Sequence, residues 1–196
     1  MNQRLSDQLK RLYEFGKISD SKTTIHSDQM LNITPETGMF LSIMIQSTRS
    51  KRVREIGTSN GYSTLWIADA LGSLDGMVTT VEVSSKKARM ARDNFNESGL
   101  SDRIDLRVAD IREFLASQDE GCFDLVFLDA ERPEYVGYWK EIDRVLKKNG
   151  LLIVDNAISP KPNELIDFFN LLERSERYLK LKLQLGNGEI LALKTL

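Results

Sequence analysis

Leu5, Leu9, Leu12 and Tyr13 recur at i, i+4, i+7 and i+8, a spacing that predicts an amphipathic helix, with Gly16 as its stop. The stretch from Lys17 to Asn32 is polar and irregular and reads as a mobile connection. Thr34 then offers an N-cap hydroxyl, Pro35 suits the first helical position, and Glu36 lies near the positive end of the helix dipole. Phe40, Leu41, Met44 and Ile45 supply the apolar face of this second helix. Together the two helices read as an N-terminal cap over residues 1–50 of a single domain spanning 1–196.

From Arg52 the pattern becomes a regular alternation. RVREIGT, MVTTVEV, IDLRVA, FDLVFLDA and GLLIVDNA have the apolar, β-branched character of strands. Helical runs lie between them: YSTLWIADALG, KKARMARDNFNESG, IREFLASQ and EYVGYWKEIDRVLKK. In the last of these, Tyr135, Tyr138, Trp139, Ile142, Val145 and Leu146 share one face. Lys147 and Lys148, before Asn149 and Gly150, read as dipole compensation and a C-cap. Strand and helix in alternation imply right-handed crossovers and a doubly wound, Rossmann-like α/β fold, its mostly parallel sheet covered on both faces. A further helix is expected around Asn163 to Glu173. After it, YLKLKLQLG and EILALKTL alternate with period two around a Gly-Asn-Gly turn, so an antiparallel hairpin should complete a seven-stranded sheet.

Composition narrows the function classes. The 196 residues carry 27 basic and 29 acidic side chains, a formal net charge of −2, with no clustered basic stretch. Nucleic acid and membrane surfaces are therefore disfavoured as partners, and a small molecule is favoured. The single cysteine, Cys122, leaves no partner for an internal disulfide and reads as a small packing residue. MNQRLSDQLK lacks the apolar run of a signal peptide, so a cytoplasmic location is expected.

In an open α/β sheet, ligands bind beyond the carboxyl ends of the strands, which makes polar residues there the first candidates. The first strand runs into Glu55-Ile56-Gly57-Thr58-Ser59-Asn60-Gly61-Tyr62-Ser63. Gly57 and Gly61 allow a tight turn, and amides with the Ser63 hydroxyl near a helix N-terminus suit a carboxylate. An ordinary strand-to-helix turn is the alternative. A dinucleotide fingerprint needs glycines where Ser59 and Tyr62 stand, so a pyrophosphate loop is disfavoured. Glu82, ending the second strand, can accept from both hydroxyls of a ribose, or can simply be solvated. Asp110 can accept from an adenine amine or cap the helix that follows it. Asp129, Asp155 and Asn156 end the fourth and fifth strands and form an oxygen-donor set that suits a hard cation such as Mg²⁺. Alternatively, Asp129 binds a ligand ammonium and Asp155-Asn156 forms a turn.

In order, EIGTSNGYSTLWIADAL, VTTVEVSSKKARMARDNF, RVADIREFL, FDLVFLDAERPEY and GLLIVDNA resemble the catechol and caffeoyl-CoA O-methyltransferase-like family, over about Ile33 to Leu196. The resemblance implies an enzyme dependent on S-adenosylmethionine that methylates a small-molecule hydroxyl with a divalent cation. It implies that Glu55, Gly57, Thr58 and Ser63 line the methionine end of the cofactor, that Glu82 holds the ribose and that Asp110 lies near the adenine. It further implies that Asp129, Asp155 and Asn156 bind the metal, with Asp129 also near the cofactor amine. Relatives often dimerise, so a homodimer is implied as well. A metal-independent methyltransferase and a non-catalytic S-adenosylmethionine-binding module remain the alternatives.

Three departures stand out. Where the family commonly has a Lys acting as proton acceptor, three residues after the first metal Asp, this chain has Arg132, which stays protonated. Arg132 can stabilise an oxyanion, bind an anionic substrate, or be a solvated residue before Pro133. The segment AISPKPNELIDFF is shorter than the substrate-covering loop of many relatives, and the N-terminal arm is abbreviated. His26, the one histidine, reads as an exposed loop residue unless the arm folds over the site. Trp66, Trp139, Tyr135 and Tyr138 read as packing residues.

Overall fold

The computed structural model describes residues 1–159 and 162–196. Five strands alternate with helices: β1 (Arg52–Ile56), β2 (Met77–Glu82), β3 (Ile104–Val108), β4 (Phe123–Leu128) and β5 (Leu146–Val154). They pair in parallel, and the C-terminal β6 (Tyr178–Leu183) and β7 (Glu189–Lys194) complete one sheet in the order β3-β2-β1-β4-β5-β7-β6. The later strand of the hairpin, β7, lies against β5, antiparallel to it, and β6 becomes the edge. Chain order reverses between β1 and β4, which places the switch point, and the crevice it opens, beside the loop after β1.

Each face of the sheet buries its own apolar cluster. On one side lie α1 (Gln3–Ser21), α2 (Pro35–Thr48), α3 (Tyr62–Leu71) and α4 (Ser85–Ser98), contributing Leu9, Leu41, Ile45, Leu65 and Phe95 to a core with Val53 and Phe127. On the other, α5 (Ile111–Ala116), α6 (Tyr135–Val145) and α7 (Ile166–Arg174) bring Leu115, Tyr135, Ile142 and Phe168 onto Ile56, Val126 and Leu152. The expected cap of α2 is present: Thr34 Oγ1 accepts from Thr37 N at 3.2 Å, and Pro35 opens the helix. Cys122 packs half-buried against the second cluster, and Trp139 meets Phe168 edge-on. No helix among the described residues is long and apolar enough to cross a membrane.

Three sequence expectations are corrected. Gly16 does not end the first helix, which continues to Ser21. Gly16 is instead a point of close approach, where a Cβ would come 2.5 Å from the Asn32 amide nitrogen. The stretch 17–32 is not a loose connection: it holds the last turn of α1, a 3₁₀ turn at His26–Asp28, and an anchored segment that follows. The Asp20 carboxylate accepts from Met30 N at 2.6 Å and Leu31 N at 2.9 Å, and Asn32 Nδ2 donates to Leu12 O at 2.9 Å. Finally, α6 ends at Val145, so Lys147 and Lys148 belong to β5 and do not cap a helix. Lys147 pairs with Asp124 at 2.5 Å across the β4–β5 junction, a strand contact the helical periodicity could not reveal. In the segment AISPKPNELIDFF, residues 160 and 161 lie outside the described residues; beyond them a 3₁₀ turn (Pro162–Leu165) leads into α7.

Candidate active site

Four adjacent strands, β2, β1, β4 and β5, deliver their carboxyl ends to one rim. Backbone bonds step along it: Gly57 N donates to Val81 O at 3.1 Å, Asp129 N to Ile56 O at 3.0 Å, and Asp155 N to Leu128 O at 3.1 Å. Gly57 makes this convergence possible. Its φ is +101°, and a Cβ there would stand 1.9 Å from the Asp129 carbonyl oxygen, so only glycine fits. A narrow cleft, lined by Met30, Ile33, Gly57, Thr58, Ser63 and Asp129, opens at this point. A larger surface depression sits at the opposite, amino ends of the strands, but its Asp124 is already committed to the Lys51 and Arg52 amides and to Lys147.

The predicted residues divide by environment. Glu55 is fully buried beneath the loop, accepting from Ser63 Oγ and Thr80 Oγ1 at 2.6 Å each and from Thr64 Oγ1. Burial, partly offset by these hydroxyls, pushes its carboxyl up to about 7. Ser63 thus lines the cleft with its hydroxyl bonded to Glu55. Thr58 Oγ1 and Thr80 Oγ1 are 2.6 Å apart, tying the same loop to β2. Glu82 is 7% exposed, and its carboxylate accepts from Ser59 N and Ser84 N at 2.8 Å each. The solvated alternative is excluded for Glu82. Asp110 is exposed and caps α5, accepting from Arg112 N at 2.8 Å and Glu113 N at 3.1 Å.

Asp129, Asp155 and Asn156 come together. Asn156 Nδ2 donates to Asp155 Oδ2 at 2.6 Å and reaches Asp129 Oδ1 at 3.4 Å, while Asn156 Oδ1 accepts from Asn187 Nδ2 at 3.2 Å. Burial, then the charge of Asp155 and of Glu55, holds Asp129 well above the usual carboxylate range. Burial also raises Asp155. Sequence reasoning missed a third acid here. Glu189, the first residue of β7, is fully buried, accepts from Thr37 Oγ1 at 2.9 Å and pairs with Asp155. Burial, then the charge of Asp155, pushes its carboxyl well above the usual carboxylate range, and its Oε2 is buried with no hydrogen-bond partner among the described residues. The one signal was an acidic residue opening an otherwise apolar strand. Among the described residues no group of three His, Cys, Asp or Glu side chains is arranged to hold a metal ion.

A family profile described as O-methyltransferase matches residues 6–195. The chain belongs to the O-methyltransferase family. It is 34% identical over 131 residues to a catechol O-methyltransferase of Niastella koreensis, covering 65% of this chain and 59% of that protein. It is 35% identical over 126 residues to a catechol O-methyltransferase of Mycobacterium tuberculosis, covering 64% and 57%. The matched stretch thus spans less than two thirds of either relative. An O-methyltransferase of Bacillus cereus, solved in complex with SAH, shares the fold with a TM-score of 0.81 at 24% identity, over 96% of this chain and 91% of that one.

Within this O-methyltransferase fold, two further features shape the rim. Arg132, on the 3₁₀ turn Arg132–Glu134 after β4, is not a solvated surface residue: its side chain is 10% exposed, and Nε lies 2.9 Å from Glu164 Oε2. The N-terminal arm also reaches the site. Ser59 Oγ donates to Met30 O at 2.8 Å, and His26 Nε2 lies 3.6 Å from Glu131 Oε2, so Met30–Ile33 form a strap across the loop after β1. Periodicity could not find this strap, because its anchors are long-range bonds to Asp20 and Ser59. Tyr135 packs in the core, its hydroxyl donating to Ala130 O at 3.1 Å and accepting from Ala130 N at 3.0 Å.

Proposed function

We propose that this chain transfers the methyl group of S-adenosylmethionine to a hydroxyl of a small molecule, assisted by a divalent cation at Asp129, Asp155 and Asn156. The observation that carries the reading is the row of acids on one rim: Glu82, Asp129 and Asp155 end neighbouring strands around the loop at Gly57. In this reading the Glu82 carboxylate, fixed by two backbone amides, keeps lone pairs free for ribose hydroxyls. Thr58 and Ser63 line the methionine end, Asp129 takes the ammonium, and Asp110 lies near the adenine. Glu55, beneath the loop, holds the Ser63 and Thr64 hydroxyls in place at that end. By aligning the acceptor oxygen behind the methyl carbon and excluding water, the rim supplies positioning, which is most of what this reaction needs.

The donor set fits a hard cation. Burial and the charge of Asp155 raise Asp129, a cost that a cation removes, and the amide of Asn156 already places N–H, a positive dipole, between the two carboxylates. Turning that amide presents Oδ1 in its place, giving three oxygen donors, the set preferred by Mg²⁺. When bound, the cation supplies Lewis acidity that favours the ionised acceptor. The present Asn156 orientation favours a second reading, a methyltransferase that works without metal.

Calorimetry and a methyl-transfer assay test the proposal. S-adenosylmethionine and S-adenosylhomocysteine should bind the protein, and catechol should be methylated with Mg²⁺ present but not in EDTA. Absence of cofactor binding ends the methyltransferase reading. Full activity in EDTA and in Asp155→Ala removes the metal and leaves the second reading.

A further inference from the structure

The guanidinium of Arg132 is only partly used by the fold. Glu164 takes Nε at 2.9 Å, yet Nη1 is buried and has no hydrogen-bond partner among the described residues. A guanidinium carries five N–H donors in a rigid fork and remains charged at every pH the protein meets. Leaving a donor of a buried charge unmade is unfavourable, so an orphan here is a feature that needs a partner. Its position says which partner. The charge of Arg132 falls on Asp129, Asp155 and Tyr135, so it stands at the corner where the methyl transfer is placed above. Among the described residues, those three groups and Glu164 are titratable groups paired with Arg132 or acted on by its charge. None fills Nη1, and the Tyr135 hydroxyl is committed to the Ala130 backbone.

We infer that the methyl acceptor binds as an anion, its charged oxygen taking the unfilled edge of Arg132. The inference rests on the methyltransferase reading and names its substrate class: acceptors whose hydroxyl ionises easily, such as acidic phenols. The chemistry is consistent with a residue that cannot take a proton. The anionic oxygen forms a bond to the methyl carbon as the carbon–sulfur bond breaks, and that electron pair stays on sulfur. One negative and one positive charge are consumed, the products are an ether and a neutral thioether, and no proton is left to remove. Arg132 therefore selects and holds the ionised acceptor.

The test uses 4-nitrocatechol, whose anion and neutral form absorb differently in the visible range. It is added to the intact 196-residue chain saturated with S-adenosylhomocysteine, in Mg²⁺ and separately in EDTA, at a pH below the free probe's own midpoint. Bound probe should show the anion spectrum. Arg132→Met should weaken binding about tenfold to a hundredfold, the loss expected for a charge-assisted bond, and restore the neutral spectrum. Arg132→Lys, which keeps the charge but not the fork, should fall between, and it guards against a variant that fails to fold. Glu164→Gln should retain the anion spectrum. The inference is overturned if the probe binds in its neutral form, binds Arg132→Met as well as the parent, fails to bind, or loses its shift in Glu164→Gln as fully as in Arg132→Met. Calorimetry with S-adenosylhomocysteine separates the two levels: cofactor binding without probe binding defeats this inference alone, whereas no cofactor binding defeats the reading beneath it.

Discussion

Glu82, at the tip of β2, accepts the backbone N–H of Ser59 from the loop after β1 at 2.8 Å. One carboxylate therefore shapes the loop, and in the proposed reading the same group meets the ribose. Glu82→Ala should weaken S-adenosylmethionine binding by about 1–3 kcal/mol through lost charge-assisted bonds. Calorimetry measures it directly, and an unchanged affinity would remove Glu82 from the cofactor site.

Gly57 sets the distance between the loop and β4. Gly57→Ala forces a non-glycine residue to φ +101° and drives its Cβ into the Asp129 carbonyl. The left-handed conformation alone costs about 1–2 kcal/mol, and the backbone collision adds to it. Denaturant unfolding should show a loss of at least about 2 kcal/mol, with cofactor binding abolished. A variant as stable as the parent would mean the two strand ends can separate freely.

Glu55 gives stability a pH dependence. Its carboxyl sits near pH 7 in the folded protein and near 4.5 when unfolded, so the folded state holds its proton more tightly. Its contribution is fully present below about pH 4.5 and is lost as pH rises through about 7, an effect on the order of 3 kcal/mol. Thermal melts of the cofactor-free protein should therefore fall from pH 5 to 8, and Glu55→Gln should flatten that decline. An identical slope in the variant would show that Glu55 is not the group responsible.

Glu189 joins three elements distant in sequence: Thr37 on α2, Asp155 after β5 and its own strand β7. Glu189→Ala strands the buried Thr37 hydroxyl and should cost about 1–3 kcal/mol in urea melts. Glu189→Gln should lose less than half as much, because its carbonyl still accepts from Thr37. Equal losses in both would mean that packing, not hydrogen bonding, decides the position.

Much of this molecule was legible from residue order. Apolar β-branched runs located the parallel strands, which are buried on both faces, while period two located the C-terminal hairpin and period 3.6 the helices from β1 onward. The cap at Thr34 was equally plain, being written in neighbouring residues. The acids at strand ends could be named as candidates, since a parallel α/β sheet exposes those ends on one side. Asp110 shows the limit: its cap bonds are local and were foreseeable, whereas nothing in its neighbours says what else it faces.

The sequence by itself determined the sheet's parallel core and the set of polar residues on its rim, because secondary-structure period and strand direction are local consequences of side-chain pattern. Tertiary structure alone decided that β7 and not β6 lies against β5, which buries Glu189 beside Asp155. It also decided that the arm after α1 lies across the Gly57 loop, and that Arg132 is buried against Glu164. These outcomes depend on contacts between segments far apart in the chain, where burial converts an ordinary acid or arginine into a group with a shifted proton or an unfilled donor.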